Sequence, residues 1–121
     1  MTLGAIAAVR VFVSDLDRAR GFYQGTLGLP LRSEAGEALV FDAGNCILIV
    51  EHCDAEEDKA HRLVGRFTGI SFGVPDIAAA HRRLSEQQVP FDGPPITQDW
   101  GGQLAHFSDP DGNILTLVQS A

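Results

Sequence analysis

Val9-Arg10-Val11-Phe12-Val13-Ser14-Asp15-Leu16 is echoed sixty-one positions later by Ile70-Ser71-Phe72-Gly73-Val74-Pro75-Asp76-Ile77. Both stretches alternate before an Asp that opens an amphipathic run, so each reads as a strand followed by a helix. Leu16, Ala19, Tyr23 and Leu27 recur at steps of three and four in the first helix; Ile77, Ala80 and Leu84 take the matching places in the second. Ser14 or Asp15, and Asp76 after Pro75, are suited to cap these helices, because their side-chain oxygens can accept an orphan backbone N–H. Both helices should stop before near-identical breakers, Leu29-Pro30-Leu31 and Val89-Pro90-Phe91.

The repetition extends to the ends of the two halves. Phe41-Asp42-Ala43-Gly44-Asn45 before Cys46–Val50 parallels Phe107-Ser108-Asp109-Pro110-Asp111-Gly112-Asn113 before Ile114–Val118. Each predicts a strand, a tight turn and a strand, with Gly or Asn able to take the positive φ of the turn. The expected fold class is therefore α+β, a single domain over 1–121 built of two β-α-β-β-β modules, about 5–51 and 67–119. Residues 52–66 read as a polar linker, with room for a helical turn. The acidic run Asp54, Glu56, Glu57 and Asp58 lacks the alternating oxygen ligands and central Gly of a calcium loop, so it is expected to be solvated surface.

Composition narrows the function. The 121 residues are 45% hydrophobic and 21% charged, which suits one compact domain rather than disorder. Nine basic residues against sixteen acidic ones, a formal charge of −7, leave no basic face for a phosphate backbone, so no nucleic-acid partner is expected. No apolar run approaches the roughly 20 residues of a membrane helix and Met1 to Val13 has no basic leader, which predicts a cytoplasmic protein with no membrane partner. The two cysteines, Cys46 and Cys53, lack the spacing of a disulfide framework and are expected to be free.

The paired modules, the segment Val13-Ser14-Asp15-Leu16-Asp17-Arg18-Ala19 running into Phe22-Tyr23 and Leu27-Gly28-Leu29, and the final Asp109-Pro110-Asp111-Gly112-Asn113 together resemble the vicinal oxygen chelate superfamily. It includes glyoxalase I, bleomycin- and fosfomycin-resistance proteins and extradiol dioxygenases. The resemblance covers nearly the whole chain and implies an open curved barrel around a cleft, often in a homodimer. It also implies a divalent metal held by side chains from four strands. Those positions fall on Ala8, on Gly69, on Thr116 and on Leu48 or Ile49. None is His, Glu or Gln, whereas a transition-metal site needs about three or four N, O or S donors. The expectation is a chain with no metal and no cofactor. Glu51, His52, His61 and His106 remain as donors for a relocated metal, without a recognisable ligand spacing.

Ligand-binding candidates follow from strand parity. Val9, Val11 and Val13 form one face of the first strand; Ala8, Arg10 and Phe12 form the other, which suits a partly wet concavity. An Arg10 guanidinium placed there must pair, and its fork suits a carboxylate. His106 lies opposite the core-like Phe107 and, counted back from Asp109-Pro110-Asp111-Gly112, matches a ligand-contacting position of related fosfomycin-resistance proteins. It can serve as a hydrogen-bond partner or a general base. Trp100, followed by Gly101 and Gly102, offers a stacking surface and resembles metal-free bleomycin-resistance-like members. Glu51, Ser71 and Thr116 complete the set; the apolar run before Glu51 hides which face it occupies.

Two functions compete. One is a metal-free binding protein for a small, planar or aromatic molecule, acting as a homodimer. The other is a lyase, isomerase or dioxygenase-like enzyme using His106 with Arg10 or a relocated metal.

Overall fold

The computed structural model describes residues 1–121. It has two compact units, Met1–Gly65 and Arg66–Ala121, each built on one four-stranded mixed sheet. In the first unit β1 (Ala8–Val13) is followed by α1 (Leu16–Arg20), then β2 (Leu31–Ala35), β3 (Ala38–Asp42) and β4 (Ile47–His52), in spatial order β1-β4-β3-β2. The second unit repeats the plan. After β5 (Phe67–Gly73) come α3 (Ile77–Glu86), β6 (Ile96–Thr97), β7 (Gln103–Ser108) and β8 (Ile114–Gln119), in the order β5-β8-β7-β6. The fold is α+β, with two β-α-β-β-β modules as the repeat implies.

Each helix starts where its Asp stands. Asp15 accepts a hydrogen bond from the Arg18 amide at 3.1 Å, and Asp76 accepts one from the Ala79 amide, also at 3.1 Å. The first helix departs from the single α-helix expected. Only Leu16–Arg20 is α-helical, and Gly21–Thr26 continues as a π-helix in which the Leu27 amide reaches back five residues to the Phe22 carbonyl at 2.8 Å. The wider turn buries Phe22 and Tyr23 together, with their rings edge to face at 5.1 Å, while Leu27 is only half-buried. Beneath this helix lie Val11, Val13, Leu39, Phe41, Leu48 and Val50, all 2% exposed or less. Under α3, Ile77 and Leu84 join the buried Ala105, Phe107, Leu115 and Leu117.

The segment expected as a linker contains more structure than that. His52 belongs to β4, and α2 spans Ala55–His61. Asp54 caps α2 by accepting from the Glu57 amide at 2.8 Å, and Glu56, Glu57 and Asp58 fill its first turn, where negative charge suits the helix dipole. The acidic run is thus a helix start. The second strand of module two is also reduced, to the two residues of β6, because Pro94 and Pro95 precede it and cannot donate to a ladder.

The β7–β8 turn is locked by side chains. Buried Asp109 accepts from the amides of Asp111 and Asn113 and from the Asn113 side-chain Nδ2, each at 2.9 Å. Asn113, 1% exposed, accepts in turn from the Arg66 amide at 3.2 Å and so ties the turn to the start of its module. Gly112 supplies the φ of +80° that the turn requires.

Candidate functional site

In module one the parallel pairing of β1 with β4 aligns Arg10 with Ile49 and Phe12 with Glu51. Val11 and Val50, paired and buried, face the helix, so Arg10, Phe12, Ile49 and Glu51 share the opposite, open face. This settles the face of Glu51. It also selects Ile49, not the fully buried Leu48, as the module-one counterpart of Thr116, because Ile49 pairs with Arg10 as Thr116 pairs with Ser71.

Arg10 is a diagonal neighbour of Glu51, within reach of two long side chains. Its Nη2 donates to Oε1 at 2.8 Å and to Oε2 at 3.0 Å, while Nε donates to Oε1 at 3.2 Å. The guanidinium carbon lies 5.0 Å from the centre of the Phe12 ring. The fork that suits a ligand carboxylate is thus occupied by Glu51. The pair is formally neutral, and its side chains are 55% and 33% exposed.

In module two a single row crosses three strands: Ser71 on β5, Thr116 on β8 and His106 on β7. Thr116 is 3% exposed, and its Oγ1 lies 2.8 Å from His106 Nδ1. The exposed Phe67 meets the imidazole edge-on, with 5.8 Å between ring centres. Beside them a hollow of about 160 Å³ is lined by Phe67, Asp92, His106, Phe107, Ser108 and Ile114. Phe67, Asp92 and Ile114 escape the sequence reading; their only signal is position, since Phe67 and Ile114 are paired strand starts and Asp92 follows the helix-ending Pro90.

Trp100 does not join this row. Gly102 carries no Cβ, and one built there would lie 1.8 Å from an indole carbon and 2.7 Å from the Gln119 carbonyl oxygen. The indole therefore folds onto its own turn, at the end of the β7–β8 ladder where Gln103 pairs with Gln119. That end is three residues, about 10 Å, along β7 from His106. The indole is 56% exposed, so a planar molecule has access to it, at a place distinct from the His106 hollow.

A metal does not fit the four strand positions. Ala8 and Ile49 offer no donor, and the Thr116 hydroxyl is engaged with His106. Gly69 sits in an irregularity of β5, where pairing shifts between Phe67 and Ser71, with φ +74°; a ligating side chain there would strain the backbone. The other donors do not assemble. Glu51 is bound to Arg10, His52 stands 3.5 Å from Glu37, and nowhere do three His, Cys, Asp or Glu side chains gather as a metal site requires. A wider, polar concavity lined by Ser14, Asp15, Asp17, Glu37 and His52 opens at the end of module one, and its Asp15 is the α1 cap.

Both cysteines are free thiols. Burial pushes Cys53 up to about 11, and the neighbouring Glu57 acts in the same direction, so this thiol is protonated and inert at neutral pH. No helix is long and apolar enough to cross a membrane.

These features place the chain among known proteins. A family model for the Glyoxalase/Bleomycin resistance protein/Dioxygenase superfamily matches residues 5–117, and the chain belongs to that superfamily. TnmS3, an antibiotic binding protein from Streptomyces sp. CB03234, is 29% identical with a TM-score of 0.82, the match covering 100% of this chain and 99% of TnmS3. A superfamily member from Sphaerobacter thermophilus DSM 20745 is 28% identical with a TM-score of 0.79 and 98% of each chain covered. Uncharacterized protein YraH of Bacillus subtilis (strain 168) is 30% identical over 124 residues, 92% of this chain and 94% of YraH.

Proposed function

We propose that this chain is a metal-free, cofactor-free binding protein that sequesters or carries a small planar or aromatic molecule on the open faces of its sheets. One observation carries the reading: the strand positions that hold a metal in the family's enzymes carry Ala8, Ile49, Gly69 and a Thr116 hydroxyl already engaged by His106. Without a Lewis acid at those positions, the superfamily's polarisation of two vicinal oxygens has no electrophile there. The open faces instead present planar groups: Phe12 under the Arg10–Glu51 pair, Phe67 against His106, and the exposed Trp100. The relative from Streptomyces, an antibiotic binding protein by description, supports the same reading. The protein acts in the cytoplasm as a homodimer, which would cover the edges of the two sheets.

A metal-independent lyase or isomerase is the second reading, favoured by one feature: Thr116 holds the His106 ring in place, as a general base requires. Its Nδ1 partner is a hydroxyl rather than a carboxylate, so the imidazolium formed in such a reaction would lack a stabilising charge.

Three measurements test the proposal, and one of them separates the two readings. Elemental analysis should find no stoichiometric transition metal, and chelation should leave the melting temperature unchanged. One tightly held zinc, nickel or iron per chain would overturn the metal-free reading. A library of cationic, neutral and anionic aromatic compounds, screened by calorimetry and Trp100 fluorescence, should yield ligands recovered intact; chemical conversion of a hit would establish the enzyme instead. Light scattering at micromolar concentration should report the mass of a dimer, and a monomer mass would refute that assembly.

A further inference from the structure

His106 has one side-chain hydrogen-bond partner in the protein, Thr116 Oγ1 at 2.8 Å on Nδ1, and Nε2 has none. Two assignments of the hydrogen atoms are possible. If Nδ1 carried the proton and donated to Oγ1, the Thr116 O–H would need another acceptor. Thr116 is 3% exposed and has no other side-chain hydrogen bond, so its hydroxyl hydrogen would be buried without a partner, a costly state. If the Thr116 O–H donates to Nδ1, that need is met, and neutral His106 then carries its proton on Nε2.

We infer that Thr116 fixes His106 as an Nε2–H donor, and that the adjoining hollow takes a single aromatic ring bearing an uncharged oxygen acceptor, such as an aryl ketone. This rests on the binding-protein reading and specifies its ligand class. The hollow is half-open, and its volume of about 160 Å³ gives room for one ring, as in an enclosed cavity of roughly 150 Å³ that accepts benzene. Aromatic character follows from the lining, in which Phe67, Phe107 and Ile114 supply apolar walls and the Phe67 ring braces the imidazole edge. Neutrality follows from Asp92, an exposed acidic residue of the same lining, whose negative charge nearby disfavours an aryl carboxylate. His106 is thus a specificity-determining residue, with Thr116 as its positioning residue.

The test begins with the tautomer. Long-range proton–nitrogen correlation spectra of the ¹⁵N-labelled full chain at about pH 8.5 should show the Nε2–H form of His106 in the wild type and in Thr116→Ser, and loss of that preference in Thr116→Val. An Nδ1–H tautomer in the wild type overturns the inference. Calorimetric titration then compares acetophenone with α-methylstyrene, which has the same shape but no oxygen acceptor, and with benzoate. Acetophenone should bind the wild type and Thr116→Ser about tenfold more tightly than either competitor, the gain of one well-made hydrogen bond. In Thr116→Val the advantage over α-methylstyrene should disappear. Equal binding of the two neutral rings, preference for benzoate, or binding of none of them overturns the ligand class assigned to the hollow. The broader reading is judged separately, by whether any member of the aromatic library binds.

Discussion

Replacing Asn113 by Ala removes the side chain that joins the β7–β8 turn to the beginning of module two. Its Oδ1 accepts from the Arg66 amide at 3.2 Å, and its Nδ2 donates to Asp109 Oδ2 at 2.9 Å. Both the Asn113 and Asp109 side chains are almost fully buried, so water cannot easily replace the lost partners. Taking one buried hydrogen bond from each of two such groups costs about 1–3 kcal/mol each, with the partly buried Arg66 amide toward the lower end. The sum is about 3 kcal/mol, equivalent to a fall of about 10 °C in melting temperature for a domain of this size. Urea titration should move the midpoint to lower concentration with an unchanged slope. Asp109→Ala removes the Asp109–Asn113 side-chain bond from the other side, so the double variant should cost about 1 kcal/mol less than the two single losses added together. An Asn113→Ala variant within about 0.5 kcal/mol of wild type, or strict additivity with Asp109→Ala, would show that the turn does not act as a lock.

Cys46, half-exposed, should react with a thiol reagent at neutral pH in the folded protein while buried Cys53 does not; equal labelling rates would place Cys53 at the surface. Because the Cys53 thiol rises from 9.0 to about 11 on folding, the folded state holds its proton more firmly, so its contribution to stability is complete below about pH 9 and lost as pH rises through 11. Cys53→Ala should flatten that decline, measured by urea midpoints across the alkaline range. Gly102→Ala forces a methyl into the indole and the Gln119 carbonyl oxygen; it should cost about 1–3 kcal/mol and red-shift Trp100 emission, and an unchanged spectrum would refute the packing. Glu51→Gln should change stability by less than about 1 kcal/mol, since the pair is partly exposed and screened by solvent, yet leave Arg10 free to attract anionic aromatics. No gain in affinity for aryl carboxylates by calorimetry would show that the guanidinium does not face ligand.

The sequence alone determined what depends on neighbours along the chain. Alternation placed Val11 and Val13 on a buried face and Arg10 and Phe12 opposite them, Asp15 and Asp76 marked the helix starts, and glycine-bearing turns marked the last hairpin of each module. The repeat of these signals identified the modules, since each is a local choice of period, cap or turn that survives whatever packs around it. Partnership was decided by tertiary structure. Arg10 and Glu51 are forty-one residues apart and meet only because β4 returns parallel to β1 in a register that no local pattern encodes, and the same register separates Ile49 from Leu48. Thr116 reaches His106 only through the antiparallel pairing of β7 with β8, and the irregularity at Gly69 exists only where β5 is laid against β8. Trp100 was legible as a stacking surface but not as one turned onto Gly102, some 10 Å from the histidine, because distance between side chains is set by strand pairing and close packing rather than by residue type.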